Sequence, residues 1–165
     1  MSDSYIEQFK GVEAGPLIQF VKYGISGGLA TFVHIVVFYL FAWKIFPSLQ
    51  EKDFFVVLFG ITVTEVNVVT RSLNSMLSNG VAFIFSNLVA YIINVFWVFR
   101  AGRHNRIVEI GLFYLVSGVS VIIGTSMMGF LIRYYDMQTT YAFTVNIVSA
   151  VMINYTMRKF FIFKG

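Results

Sequence analysis

The chain has 165 residues, 58% of them hydrophobic and 12% charged, with a formal net charge of +4 and a mean hydropathy of +0.77. A soluble domain carries about 25% charged residues, so this composition excludes an ordinary water-soluble fold. The absence of cysteine excludes disulfides, thiol nucleophiles and Cys-based metal sites.

Four runs are free of charge: Tyr23–Trp43, Ser72–Phe99, Ile110–Ile132 and Met137–Met157. Each is long enough to cross a hydrocarbon core of ~30 Å as a helix. The runs predict helices near residues 18–43, 79–99, 108–132 and 140–162, in one all-α integral membrane domain over residues 1–165. The first run follows a polar stretch with Asp3, Glu7 and Glu13. It is too long for a signal-peptide core, and no small-residue cleavage site follows it.

The first predicted helix opens with Phe20-Val-Lys-Tyr-Gly24, which puts Lys22 at its base. Gly24 and Gly28, reinforced by Gly27, form a small-xxx-small pair. They suit close helix packing within one subunit or across a homodimer. His34 lies in the middle of the span, where an ionisable group is costly and is a functional-site candidate. It serves either as an interhelical hydrogen-bonding group or in a proton or ligand path.

Residues 44–78 are expected to form a longer extracytoplasmic loop. Phe54–Val63 within it is apolar but too short to span as a helix. An interfacial element, a re-entrant segment and a short β-structured cap all fit it. Glu65–Asn79 reads as polar and exposed.

In the second predicted helix, Asn87 and Asn94 are seven apart and share a face. In the third, Ser120–Gly124 and Thr125–Gly129 repeat the small-residue spacing, and Gly124 is a packing candidate. In the fourth, Asn146 and Asn154 nearly share a face. Amides facing lipid would lack partners, so these faces must point inward. They are either interhelical glue or the lining of a polar cavity.

Residues 90–100 and 154–164 resemble one another: each ends an apolar run with an aromatic-rich tetrad and a cation. The chain therefore reads as two parallel two-helix repeats. Lys10, Lys22, Arg100, Arg103, Arg106, Arg158, Lys159 and Lys164 fall on one side. Lys44, Lys52, Arg71 and Arg133 fall on the other. That bias places both termini in the cytoplasm. Trp43, Trp97, Phe99, Phe160, Phe161 and Phe163 sit at span ends, as interfacial anchors do. Arg158, Lys159, Lys22, Arg100 and Arg103 form a ring of cations at one face. The ring is either ordinary positive-inside flanking or a site for a lipid phosphate. No span pairs carboxylates, and His34 and His104 do not make a metal-ligand set. No catalytic residue, metal or cofactor is expected.

On these residues the chain resembles the GtrA-like family of small four-helix membrane proteins with a duplicated two-helix unit. Phe20 and Gly24 fit the family's opening. Asn94, Trp97, Val98 and Phe99 fit the close of the second helix, with Ala90 and Val95 departing from it. Asn154, Tyr155, Lys159, Ile162 and Phe163 fit the close of the fourth, where Arg158 replaces an Asn and Phe161 a Trp. The resemblance covers residues 17–43 and 78–165; the 44–78 segment is longer than the family pattern.

The resemblance implies translocation of a polyprenyl-phosphate-linked sugar across the cytoplasmic (inner) membrane for cell-surface polysaccharide synthesis, beside a membrane glycosyltransferase. Arg158, Lys159, Lys22, Asn94 and Arg100 would hold the phosphate; His34, Asn87, Asn146 and Asn154 would line the sugar path. Because the second copy kept Arg158-Lys159, it is the expected head-group site. The competing expectation is a non-transporting partner that recruits or stabilises the transferase through the glycine face.

Overall fold

The computed structural model describes residues 2–11, 14–98 and 106–157. A short helix α1 (Ser2–Lys10) precedes the long α2 (Pro16–Lys44). Pro16 starts α2 in its first turn, where a missing N–H costs nothing. After the six-residue α3 (Phe54–Phe59) comes α4 (Val68–Ile93), which passes into a π-helical turn at Asn94–Val98. Two further helices follow, α5 (Arg106–Tyr135) and α6 (Thr139–Met157). The described residues form no strand. Three helical stretches, Leu17–Lys44, Val68–Val98 and Ser117–Tyr135, are long and apolar enough to cross a membrane.

Successive long helices run antiparallel. Gln19 at the start of α2 donates to the Val98 carbonyl at the end of the π turn. Ser72 near the start of α4 donates to the Gly129 carbonyl late in α5. The apolar core gathers Phe38 and Ala42 from α2, Ala82 from α4, Met128 and Ile132 from α5, and Ala142 and Phe143 from α6. Large apolar side chains such as Leu17, Phe32, Phe85, Ile122 and Val148 point outward. Ser26, Ser75, Ser78, Asn79, Asn87 and Asn146 are buried. Polar residues inside and apolar ones outside suit a bundle whose solvent is lipid.

The second long helix begins at Val68, not near 79. Asn67 caps it by accepting from the Thr70 N–H at 2.9 Å. The segment Glu65–Asn79 is therefore not an exposed loop: Arg71, Ser72, Ser75, Ser78 and Asn79 are all buried. Their polarity mimics a loop in hydropathy, but it lies on the inward face of a helix.

The connection left over, residues 45–67, folds as a cap built on α3 rather than on strands. Asp53 is its keystone. Its carboxylate accepts from the Phe55 N–H at the start of α3. It also accepts from the Thr140 N–H at 3.0 Å and from the Thr140 hydroxyl. One side chain thus caps two helix N-termini. α3 ends at Gly60, whose φ of 59° lies in the left-handed region that favours glycine. The cap is tied down by Thr139 donating to the Ser48 carbonyl. Arg71, 1% exposed, pairs with Asp136 and also donates to Gln50. Phe55 stacks on Tyr39 of α2 with centroids 3.7 Å apart.

At the opposite end α1 lies against the start of α2 and the π turn. The Lys22 ammonium donates to the carbonyls of Gln8 and Gly11, at 3.2 and 2.6 Å. Trp97 donates through Nε1 to the Phe9 carbonyl and meets the Phe9 ring edge-on.

Candidate functional site

A polar network crosses the middle of the bundle and joins all four long helices. The Nε2–H of His34 on α2 donates to Oδ1 of Asn79 on α4 at 2.9 Å. Asn146 of α6 donates to the same oxygen at 2.8 Å. Asn79 in turn donates to Thr125 of α5 at 2.6 Å. Because Asn79 Oδ1 can only accept, the His34 proton sits on Nε2. The other ring nitrogen lies 3.0 Å from the Ser86 hydroxyl. Gly124 of α5 leaves room for this arrangement, since a Cβ there would collide with the Asn146 amide.

Beside the network lies a partly open cleft of about 200 Å³. Thr31 and His34 line it from α2, Ser86 and Asn87 from α4, Ser117 and Ser120 from α5, and Asn146 from α6. Phe83, Val121, Ile147, Ala30, Ala90 and Ala150 complete the wall. The Asn87 amide nitrogen is buried and has no hydrogen-bond partner. An unpaired buried donor costs about 1–3 kcal/mol, and no bulk water reaches a hydrocarbon core to relieve it. Hydroxyls, amides and the His34 imidazole line the cleft, and an acceptor entering it would relieve this donor once the Asn87 side chain turned towards it. Beyond His34, towards the cap, an aromatic layer closes the interior. Phe38 and Phe143 stack with centroids 3.6 Å apart, and His34 stacks on Phe143 at 5.8 Å.

Of the expected path residues, His34, Asn87 and Asn146 meet in this one cleft. Asn94 does not line it. Its amide donates to the Ala90 carbonyl at 2.8 Å, back onto its own helix, where the π turn has altered the ladder. Lys22 is committed to α1 and lies 5.2 Å from the centre of the Trp97 ring. Arg100, Arg158 and Lys159, and the side chain of Asn154, lie outside the described residues.

The expected packing at Gly24 and Gly28 is not seen within the subunit: no described residue comes within 4 Å of a Cβ built at Gly24, Gly27 or Gly28. The first span instead meets its neighbours through its His34 and Phe38 face. Close packing at a small residue does occur at Gly124, and at Gly129 against Met76. Sequence reasoning missed Asn79 and Ser86 as site residues, and took Ser120 and Thr125 for packing positions where the structure places them in the cleft wall and the network. The signal for α4 was the spacing of Ser72, Ser75, Asn79, Ala82 and Ser86, all small or polar at three- and four-residue steps. Among the described residues no group of three or more His, Asp or Glu side chains could hold a metal ion.

No curated protein matches the chain, and no solved structure does. The family model described as the GtrA/DPMS transmembrane domain matches residues 22–163. That interval contains every residue of the cleft and of the network around it. With its apolar helices, an outward-facing lipid-like surface and a match over most of its length, the chain is a membrane protein and belongs to the GtrA/DPMS transmembrane-domain family.

Proposed function

We propose that this chain is a non-enzymatic carrier that flips a polyprenyl-phosphate-linked sugar across the cytoplasmic membrane for cell-surface polysaccharide synthesis. Family membership supports the handling of such lipids in general. In this reading α2, α4, α5 and α6 are four spans, arranged as two parallel hairpin repeats with both termini in the cytoplasm. The α1 end is then cytoplasmic and the α3 cap extracytoplasmic. Arg158 and Lys159 hold the phosphate at the cytoplasmic interface, with Arg100, Lys22 and Asn94 near it. The isoprenoid stays in lipid, while the sugar enters between the helices.

The observation that carries the reading is the intramembrane cleft with its unpaired Asn87 donor. A sugar hydroxyl can accept from that amide and exchange bonds with Ser86, Ser120 and Asn146. Passive exchange down the gradient is the simplest mechanism.

The test is translocation of polyprenyl-phosphate glucose in reconstituted liposomes. Asn87→Leu should slow it about tenfold or more, the equivalent of one lost polar contact, with the protein still monodisperse. Unchanged translocation would remove the cleft from the mechanism. A second reading, recruitment of a membrane glycosyltransferase or a second copy of the chain, is favoured by the open Gly24–Gly27–Gly28 face. Under it, Gly24→Leu with Gly28→Leu abolishes co-purification with the transferase, and Asn87→Leu has no effect on it.

A further inference from the structure

The cleft is not closed on every side. Of the residues lining it, Thr31 of α2 is exposed, which places the mouth beside that residue. α2 packs along α4, α4 along α5 and α5 along α6, so α2 and α6 are the two edges of one seam. Near the cap this seam is shut. Phe38 stacks on Phe143 at 3.6 Å, the Tyr39 hydroxyl donates to the Thr140 hydroxyl at 3.0 Å, and Phe38 and Ala42 are fully buried. The same face of α2 continues towards the α1 end, because Gly24, Thr31 and Phe38 stand seven apart, as do Gly28, Ile35 and Ala42. There it is bare. Gly24, Gly28 and Thr31 are exposed, and no described residue comes within 4 Å of a Cβ built at either glycine. The seam is zipped in one half and open in the other, and the open half runs into the mouth of the cleft. The unpaired amide of Asn87, a residue 7% exposed, stands in the cleft wall.

We propose that the open half of the α2–α6 seam is the lateral portal of the cleft, occupied by the isoprenoid tail of the carried lipid while its head group sits inside. The inference rests on the carrier reading above. A cleft of about 200 Å³ is smaller than the ~300–1,000 Å³ of ordinary small-molecule pockets, so it holds a head group and no long tail. The tail must then leave through the side of the bundle, and this is the side where the cleft opens. It loses nothing by staying outside, because acyl chains are as apolar as the side chains of the bundle. The glycines at the rim remove the side chains that would obstruct a methyl-branched chain. A second copy of the protein seated on the same face would cover Thr31 and shut the cleft, so the occupant assigned is lipid.

Two measurements on the full-length chain, in liposomes that contain no transferase, test this. In the first, Gly28→Cys and Thr31→Cys are made singly, and a bulky thiol reagent is attached after folding; the absence of native cysteine makes it specific. Translocation of polyprenyl-phosphate glucose should fall about tenfold on modification and recover when a reductant releases the group. The same modification of Phe85→Cys, on the outward side of α4, should leave it unchanged. No loss at either portal position overturns the proposal. So does a change from dimer to monomer on modifying Gly28→Cys with translocation unaltered, which assigns the face to a second copy. In the second, polyprenyl-phosphate glucose carrying a diazirine in the isoprene unit next to the phosphate is photolysed. Adducts should concentrate on residues 24–31, and excess unlabelled glycolipid should remove them while phosphatidylglycerol does not. Adducts equally frequent at Phe85, or removed equally by phosphatidylglycerol, overturn the portal. If the portal fails in these ways while Asn87→Leu slows translocation, the carrier reading stands without it. If Asn87→Leu leaves translocation unchanged, the carrier reading falls, and the portal with it.

Discussion

Asn79 is the residue on which the middle of the bundle depends. Its one side chain touches His34, Thr125 and Asn146, so it ties α4 to each of the other long helices. Asn79→Leu keeps the size and removes every one of these bonds. It would leave the buried Asn146 and the half-buried His34 and Thr125 without this partner, and the expected loss of stability is about 2–4 kcal/mol. Thermal unfolding in detergent checks this; a shift no larger than that of an outward-facing control such as Phe85→Leu would refute it. His34 announced itself because an ionisable residue in mid-span is rare and costly. Asn79 did not, because it stood at the junction of the expected loop and the expected helix and read as the edge of the loop. Asn87 and Asn146 were legible as inward-facing amides. Their meeting in one cleft was not, because separation along one helix says nothing about which neighbour each will face.

At the scale of the element, the two ends of the bundle are held differently. The cap end is fixed by Asp53, which serves the first turns of both α3 and α6. Asp53→Ala should cost about 2–3 kcal/mol, since two capped termini are lost together. Asp53→Asn, which keeps an acceptor, should cost less. Equal unfolding midpoints for the two variants would contradict the double-cap role. At the other end α1 is held by a few polar contacts through Lys22 and Trp97. Trp97→Phe keeps the ring and loses the Nε1 bond, worth about 1 kcal/mol. Hydrogen exchange in α1 should then quicken about fivefold, reporting a locally looser helix. Exchange that stays at the wild-type rate would show that α1 is held by other contacts.

The three most apolar stretches were legible as helices from charge-free length alone. α3 was not: six apolar residues could have taken several forms, and the helix is decided by Asp53 and Gly60 acting with distant Thr140. The start of α4 was hidden for a related reason. Its first turns are polar because they face the interior, and a hydropathy reading takes polarity for exposure.

For the molecule as a whole, the carrier reading fixes a topology. Both Glu7 in α1 and the C-terminus should face the cytoplasm, and Val57 on the exposed side of α3 the opposite side. Single cysteines at 7 and 57 in this cysteine-free chain should therefore react with an impermeant reagent from opposite faces of an intact spheroplast preparation. Labelling of both from the same face would refute the four-span arrangement.

The inward polar stripe of α4 also bears on how the protein is made. Arg71, Ser72, Ser75, Ser78 and Asn79 fall in the first turns of one helix, and a charged residue within a span is unfavourable to insert by itself. Facing lipid alone, that segment would leave its side chains unpaired. Beside α2 and under the cap, Arg71 finds Gln50 and Asp136, and Asn79 finds His34. Asp136, however, emerges from the ribosome long after α4 does. The first half of α4 should therefore be poorly accommodated until α5 arrives, so that its membrane insertion is expected to be completed by a part of the chain not yet synthesised when it begins.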